Sequence, residues 1–343
     1  MELCSSFNSN TMEIPKIFRL PLRAAHKVYT KLFVPPFVHR GGDRICDPII
    51  ANRLIYNLLV DDKPCMICRY GATELNTVTN FLGVENNKCF IRYITDKQYY
   101  GWWDQENINN ILELSGFFPN TLENIEKFSH MMCEDSSIID LLGSWLPKEK
   151  YMEKYLPKRI SKVMLMYLEP WWGEKPWSKA LEGKKVLVVH PFANQIKSQY
   201  ENHRMELFEN PDVLPEFKLE TIPAVQSLGG EENGFTSWFE ALKWMENEID
   251  KREYDVCLMG CGAYGFPLAA HVKRQGKKAV HLGGALQLLF GIKGKRWEEP
   301  TYGDIWGVPN CAYQNLVSKP GWVRPGEEGR PSNAQRVEGA CYW

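Results

Sequence analysis

Four short segments hold the residues whose types and spacing suit chemistry, and each follows a predicted buried strand. The first is Arg69-Tyr70-Gly71-Ala72-Thr73-Glu74. Arginine presents a planar cationic fork that suits a diphosphate, and Thr73 is placed to cap a helix whose N-terminus favours phosphate. Glu74 then lies in the first helical turn. The same spacing equally suits a structural Arg69–Glu74 ion pair that complements the helix dipole.

The second segment, Gly260-Cys261-Gly262-Ala263-Tyr264-Gly265, matches the pattern G-x-G-x-x-G. It follows a predicted strand and precedes a predicted helix, as in dinucleotide-binding units. Such a unit also places an acid near the end of the next strand, but that strand ends in His281-Leu282-Gly283-Gly284. The missing acid disfavours a nicotinamide-dependent enzyme. We therefore expect either a phosphate-binding turn or a tight connection between strand and helix.

The third segment, from His190 to Ser198, follows the clearest predicted strand, 185–189. His190 is suited to act as a general base, and Lys197 and Ser198 could contact phosphate. No acid lies nearby to orient the histidine, which favours a histidine with satisfied hydrogen bonds at a strand end. The fourth segment, 226–234, is a polar, glycine-rich loop that could close over a substrate or form a surface connection.

The composition excludes several classes of protein. The chain has 343 residues, of which 44% are hydrophobic and 24% are charged, as is usual for globular proteins. Forty-one lysines and arginines oppose 42 acids, and the net charge of −1 disfavours a nucleic-acid partner. No apolar run reaches the roughly 18 residues of a membrane span, and no secretory signal is recognisable. We therefore expect a cytoplasmic protein.

Cysteines are numerous but scattered. The chain contains ten, and Cys65 and Cys68 form a C-x-x-C within the apolar run 64–68. A zinc site needs four ligands, and no second pair has the usual spacing. A redox motif would stand at a helix start rather than inside a strand. We expect Cys65 and Cys68 to be structural thiols.

Residues 1–45 are predicted to form a basic N-terminal arm. No acid lies between Glu13 and Asp43, whereas six lysines and arginines do. Pro21 is suited to begin a helix that Pro35-Pro36 would end, and the spacing of its apolar and basic residues makes this helix amphipathic. Such a helix suits contact with an anionic membrane surface. It could equally pack on its own domain with a solvated basic face.

From residue 47 onwards, strands and helices are predicted to alternate. The predicted strands are 65–70, 162–168, 185–189, 219–225, 254–259 and 278–282. The predicted helices are 48–59, 73–82, two within 102–134 separated by Gly116 and Pro119, 194–208, 236–249 and 268–275. This alternation is typical of a doubly wound, mostly parallel α/β sheet with helices on both faces. We expect one α/β domain over 46–295 and a tail rich in Gly, Pro and Trp over 296–343, whose apolar end docks on the domain.

The six residues from Arg69 to Glu74 resemble the R-[FY]-G-D-x-E signature of bacterial GT-D type glycosyltransferases. The segments 255–283 and 186–198 also resemble parts of that family. The resemblance implies a Rossmann-like fold and the transfer of a sugar from a nucleotide sugar, usually UDP-linked, to a growing cell-surface glycan. The acceptor would be a glycan or lipid-linked glycan, with the basic helix holding the enzyme at the inner face of the membrane.

The resemblance also implies roles for individual residues. Arg69 and Glu74 would be catalytic. The nucleotide sugar would be bound by Gly71, Thr73, His190, Asn194, Lys197, Ser198, Gly260, Gly262, Tyr264 and Gly265. In the family the acid pair D-x-E is associated with Mn²⁺ or Mg²⁺, but here Ala72 replaces the first acid and leaves Glu74 as the one metal ligand. The alternatives are a transferase that relies on cations and helix N-termini, and a non-catalytic glycan- or nucleotide-binding protein.

Overall fold

The computed structural model describes residues 14–86, 90–228, 233–326, 334–336 and 339–343. Within these ranges the strands are β1 Cys65–Cys68, β2 Leu141–Ser144, β3 Ser161–Met164, β4 Lys185–His190, β5 Lys218–Pro223, β6 Val256–Met259 and β7 Lys278–His281. The helices are α1 Lys16–Phe33, α2 Pro48–Val60, α3 Ala72–Glu85, α4 Phe90–Ile94, α5 Gln105–Ser115, α6 Leu122–Ser136, α7 Ala193–His203, α8 Trp238–Asp250, α9 Gly265–Arg274, α10 Leu286–Leu289 and α11 Ala312–Val317. None of these helices combines the length and the apolarity needed to cross a bilayer.

The seven strands form one sheet in the order β3-β2-β1-β7-β6-β4-β5. All of its strand pairs are parallel, with register partners such as Ile67 and Leu141 between β1 and β2. The chain places β2 and β3 on one side of β1, crosses to β4 and β5 at the far edge, and returns through β6 and β7. The predicted doubly wound, parallel α/β sheet is therefore confirmed.

Successive strand residues pack on opposite faces of the sheet. Cys65 and Ile67 of β1 belong to a buried cluster with residues of α2, α7 and α10. Met66 and Cys68 belong to a second cluster with residues of α3, α5, α6, α8 and α9. Because helices cover both faces, strands β1 and β6 are apolar throughout, whereas the edge strand β5 alternates polar and apolar residues.

Local sequence sets several of the helix boundaries. The Asp47 carboxylate accepts hydrogen bonds from the backbone N–H groups of Ile49 and Ile50, and Pro48 follows it at the first position of α2. Gly116 ends α5 in the left-handed conformation at φ +69°. These are the boundaries that the sequence predicts.

Side chains of the C-terminal tail cover part of the face that carries α2 and α7. Trp297, Tyr313, Trp322 and Trp343 are buried in the same cluster as those helices. The Arg324 guanidinium donates a hydrogen bond to the backbone oxygen of Trp343 at 3.1 Å. The end of the chain is therefore held against the domain.

The strand predictions are incomplete between α6 and β4. The sequence pattern does not predict β2, because Leu141-Leu142-Gly143-Ser144 is a very short apolar run that ends in residues rare in strands. The predicted strand 162–168 is too long: β3 ends at Met164, and 165–168 form a 3₁₀ turn.

Several predicted helix boundaries are wrong. The helix predicted over 194–208 ends at His203, and the helix predicted over 268–275 begins at Gly265. α1 begins at Lys16 rather than at Pro21, which lies exposed inside the helix and removes one of its hydrogen bonds. α3 passes through Gly83 instead of ending before it. A Cβ on Gly83 would lie 2.2 Å from the Tyr100 carbonyl oxygen. This glycine therefore marks a close approach of two backbones and not a helix end.

Candidate functional site

A cleft of about 160 Å³ lies at the carboxyl edge of the sheet, where the segments after β1, β4, β6 and β7 converge. Ligands bind at this edge in open parallel sheets. Of the predicted site residues, the cleft brings together Arg69, Gly71, Thr73, Glu74, His190, Gly260 and Gly262. All four candidate segments therefore reach one site, the fourth through the described part of the loop after β5.

Arg69 presents a cation to the cleft without a carboxylate partner. It lies half-buried directly after β1, and the central carbon of its guanidinium is 5.0 Å from the centroid of the Trp145 ring. Among the described residues it forms neither a hydrogen bond nor an ion pair. The structural ion pair with Glu74 that the spacing permits is therefore not formed. Stacking leaves the edge of the guanidinium able to donate two parallel hydrogen bonds to a phosphate.

Glu74 occupies the third position of α3, whose N-cap is Gly71 and not Thr73 as predicted, because the helix already begins at Ala72. Its side chain folds back over the N-cap, so that a Cβ on Gly71 would lie 1.7 Å from Glu74 Oε2. Only glycine leaves room for the carboxylate there. Glu74 is 9% exposed, yet none of the described residues donates a hydrogen bond to it. A nearly buried acceptor therefore faces the cleft at a helix N-terminus.

His190 is a neutral hydrogen-bond donor. It is buried at the end of β4, and its Nδ1 accepts a hydrogen bond from the backbone N–H of Phe192 at 3.0 Å. Burial lowers the pKa of the imidazole to about 3. The single proton of the ring is therefore on Nε2, for which the described part of the chain supplies no acceptor. His190 can donate into the cleft, but it does not fit the role of general base.

Packing within the chain accounts for the G-x-G-x-x-G pattern. A Cβ on Gly260 would lie 2.6 Å from the Gly283 carbonyl oxygen, and one on Gly265 would lie 2.2 Å from Cε1 of His281. Gly262 has a φ of +55°, which favours glycine. Each glycine thus serves the tight connection between β6 and α9, the simpler of the two expectations.

Five of the predicted binding residues lie outside the cleft. Tyr264 is buried, its ring stacked on an indole of α8 at a centroid distance of 5.0 Å, and Gly265 packs beneath a histidine ring. Asn194, Lys197 and Ser198 lie on the exposed side of α7. The sequence correctly predicts helix α7 but does not reveal which of its sides faces the sheet.

Aromatic residues distant in sequence form walls of the cleft. Trp145 follows β2, and its Nε1 donates to the backbone oxygen of Tyr70 at 3.0 Å. Tyr342 and Trp343 come from the chain end, where the central carbon of the Arg296 guanidinium lies 4.2 Å from the Tyr342 ring centroid. The apolar residues at the chain end predict that the tail docks on the domain. No local sequence pattern predicts that Trp145 or Arg296 lines the cleft.

The side chains of the cleft do not fit a resident divalent metal. Glu74 is the one side-chain carboxylate among the described residues that line it, and His190 presents an N–H rather than a lone pair. The described ranges contain no group of three or more His, Cys, Asp or Glu side chains suited to a metal. Mg²⁺ and Mn²⁺ prefer about six oxygen ligands.

Cys65 and Cys68 are structural thiols. Both are buried in β1, where they pack on opposite faces of the sheet. Burial raises the pKa of each thiol above its usual range. Their positions on opposite faces prevent them from sharing a metal ion or forming a disulfide with each other.

The loop after β5 contributes to one side of the cleft. Gln226 and Leu228 line it, and Ser227 donates a hydrogen bond to the Gly116 carbonyl oxygen at 2.6 Å. Residues 229–232, the centre of the loop predicted to close over a substrate, lie outside the described residues. The described part of the loop is therefore anchored at the site.

Comparison of the chain with models of known families, with curated proteins and with solved structures found no match. The site combines a stacked arginine, a carboxylate without a hydrogen-bond donor among the described residues, and a histidine donor beside the N-terminus of α3. This combination suits a ligand that carries both phosphate and hydroxyl groups.

Proposed function

We propose that the chain transfers a sugar from a nucleotide sugar, with UDP as the first candidate nucleotide, to a hydroxyl group of a glycan acceptor. The observation that carries this proposal is that Arg69 and Glu74 line one cleft and pair neither with each other nor with any other described residue. Isolated charges that are partly or nearly buried are costly. The arrangement is therefore suited to a ligand that brings an anionic group to Arg69 and a hydrogen-bond donor to Glu74.

The diphosphate is assigned to the side of the cleft that carries Arg69. The guanidinium edge would donate to two phosphate oxygens, and the first backbone N–H groups of α3 have no acceptor within the helix. Nε2–H of His190 adds a neutral donor. Together these groups would stabilise the negative charge that develops on the departing diphosphate.

The acceptor hydroxyl is assigned to Glu74. In the proposed reaction the acceptor oxygen bonds to the anomeric carbon, while the bond from that carbon to the diphosphate oxygen breaks and its electron pair leaves with the diphosphate. The proton of the hydroxyl passes to the Glu74 carboxylate. The faces of Trp145 and Tyr342 are available to pack against sugar rings.

The proposal assigns charge neutralisation to cations of the chain. Arg69 and Arg296 line the same cleft, whereas Glu74 is the one side-chain carboxylate among its described lining residues. We therefore expect nucleotide binding without a requirement for Mn²⁺ or Mg²⁺.

A thermal-shift measurement with UDP, GDP, CMP and NAD, each with and without Mn²⁺, tests the proposal. A ligand at a hundredfold excess over its Kd adds about 2.7 kcal/mol to the free energy of unfolding, which is easily detected. We expect stabilisation by UDP or GDP that does not depend on Mn²⁺. Stabilisation by NAD alone, or by none of the four, would contradict the proposal.

A second measurement separates transfer from binding. Purified protein is incubated with the nucleotide sugar of the stabilising nucleotide and glycan acceptors, and release of the nucleoside diphosphate is followed by chromatography. Release that depends on the acceptor supports transfer. Tight nucleotide binding without turnover would identify a binding protein of the same fold instead.

A further inference from the structure

Helix α1 exposes a stripe of apolar side chains. Ile17, Val28 and Leu32 lie within about 60° of one another around the helix axis, and they are between 59% and 78% exposed. No residue of this 18-residue helix is buried. Soluble domains rarely leave a continuous apolar surface without a partner, so this side of the helix needs an explanation beyond packing within the chain.

The other side of α1 holds the helix on the domain. The His26 ring stacks on the Tyr93 ring of α4 with a centroid distance of 4.7 Å, and its Nδ1 lies 2.8 Å from the Tyr93 backbone oxygen. The Arg23 guanidinium lies over the Tyr100 ring at 4.9 Å. These contacts fix the orientation of α1, so its apolar stripe faces outward as a consequence of the fold.

Other segments near α1 also expose apolar side chains. Phe90 and Ile91 begin the neighbouring helix α4 and are 45% and 67% exposed. Phe37 and Val38, which follow the last residue of α1 by four and five positions, are 36% and 56% exposed. Exposed apolar side chains therefore also occur in segments next to α1.

Lysines border the stripe on one side. With 3.6 residues per turn, Lys16, Lys27 and Lys31 lie within about 60° of one another around the helix axis. No Asp or Glu lies between Glu13 and Asp43 to neutralise them from within this segment. A second copy of the chain would bring the same lysines together, whereas an anionic surface complements them.

We propose that α1 lies in the plane of an anionic lipid surface, with its apolar stripe inserted at the boundary of headgroups and acyl chains and its lysines among the headgroup phosphates. The source of the phosphate is the lipid bilayer itself. The proposal concerns a surface different from the cleft, so its test is independent of the test of sugar transfer.

Flotation of the full chain with vesicles tests the proposal. The vesicles consist of phosphatidylcholine alone or of phosphatidylcholine with phosphatidylglycerol, each at low and high ionic strength. We expect flotation with the anionic vesicles, weakened by salt because exposed charges are screened. Equal flotation with both kinds of vesicle at every ionic strength, or none with either, would overturn the proposal.

Variants of α1 separate the apolar contribution from the charged one. The triple substitution of Lys16, Lys27 and Lys31 by Gln should lower the affinity for anionic vesicles by about 100-fold. The double substitution Val28→Ser and Leu32→Ser should lower it by about tenfold or more. All five side chains are exposed, so the melting temperature should be unchanged.

Matched controls come from other surfaces of the domain. Met205 is 66% exposed on a short 3₁₀ helix, and Lys243 lies exposed on α8. Met205→Ser and Lys243→Gln should float like the wild type. Loss of flotation in these controls would overturn the proposal. So would a concentration-dependent dimer, observed without vesicles, that the α1 variants dissociate, because it would assign the stripe to a second copy of the chain.

Discussion

The Arg69 guanidinium is stacked on the Trp145 ring, with 5.0 Å between the guanidinium carbon and the ring centroid. Arg69 follows β1 and Trp145 follows β2, so this contact joins two neighbouring strand ends of the parallel sheet. It holds the cation at the cleft without neutralising it. The position of the guanidinium therefore depends on an aromatic residue from another loop.

We predict that the two residues act together in ligand binding. Arg69→Lys keeps the charge but loses the planar fork, and Trp145→Leu removes the stacking surface. A double-mutant cycle on nucleotide affinity, measured by calorimetric titration, should give a coupling energy of about 0.5 kcal/mol or more. Additive effects would show that Trp145 does not position Arg69.

Glu74 and Gly71 should also act as a unit. An alanine at position 71 would place its Cβ 1.7 Å from Glu74 Oε2, so the carboxylate must move. We predict that Gly71→Ala and Glu74→Gln each lower the rate of sugar transfer by about 100-fold or more, and that combining them costs no more than either alone. Circular dichroism melting of each variant is the control for folding. Full transfer activity in Glu74→Gln would remove Glu74 from the mechanism.

Ligand binding should not depend on the protonation of His190. The pKa of this imidazole is lowered to about 3 by burial, so the ring stays neutral between pH 5 and 8. The terminal phosphate of a nucleoside diphosphate itself titrates at about pH 6. We therefore predict that the pH profile of nucleotide affinity has the same shape in the wild type and in His190→Phe, with a loss of about tenfold in the variant, which removes the Nε2–H donor. An inflection near pH 6.5 that disappears in His190→Phe would contradict this assignment.

Glu169 should make the stability of the fold depend on pH. Burial raises the pKa of its carboxyl to about 8, and its Oε2 accepts hydrogen bonds from Tyr313 and Trp172, each at 2.7 Å. The unfolded chain releases this proton near pH 4.5 and the folded chain near pH 8. Folding therefore retains the proton in this window, and the stabilisation is full below pH 4.5 and is lost as pH rises through 8.

The variant Glu169→Gln isolates this effect. Its amide oxygen can still accept from Tyr313 and Trp172, but it does not titrate. Between pH 5 and 8 the free energy of unfolding of the wild type should fall relative to that of the variant by up to about 1.4 kcal/mol per pH unit. Urea unfolding at several pH values measures this difference. Parallel pH profiles for the two proteins would show that Glu169 is ionised throughout.

The last glycine of the G-x-G-x-x-G pattern should matter for stability and not for nucleotide binding. Gly265→Ala would bring a Cβ to 2.2 Å from the His281 ring, which we expect to cost about 1–3 kcal/mol in urea unfolding. Gly326→Ala is the matched control, because no heavy atom lies within 4 Å of its Cβ position. Unchanged stability of Gly265→Ala combined with lost NAD binding would restore the dinucleotide interpretation.

Local sequence was sufficient for the parts of the site that lie within one connection. The alternation of apolar strands with helices predicted the parallel sheet, and that sheet requires the segments after β1, β4 and β6 to meet at one edge. Arg69, Glu74 and His190 could therefore be predicted as neighbours. The sequence could not predict that these side chains stay unpaired with one another, because that depends on the directions of the side chains within the cleft.

Cleft residues from other parts of the chain could not be predicted, for a different reason. Trp145 follows a four-residue strand with no clear pattern, and Tyr342 reaches the cleft only because the tail crosses the domain. Lys197 was a reasonable phosphate ligand by type, but it lies on the side of α7 that faces solvent. Contacts between segments far apart in sequence decide such positions.

The most direct test of the central claim is a calorimetric titration of UDP into the wild type, Arg69→Gln and Arg53→Gln. Arg53 lies exposed on α2 and is the matched control for loss of one arginine. If Arg69 holds the diphosphate, Arg69→Gln should raise the Kd by about 10- to 100-fold, and Arg53→Gln should leave it unchanged, both without added metal. Equal affinities for all three proteins, or no binding of UDP by the wild type, would contradict the account.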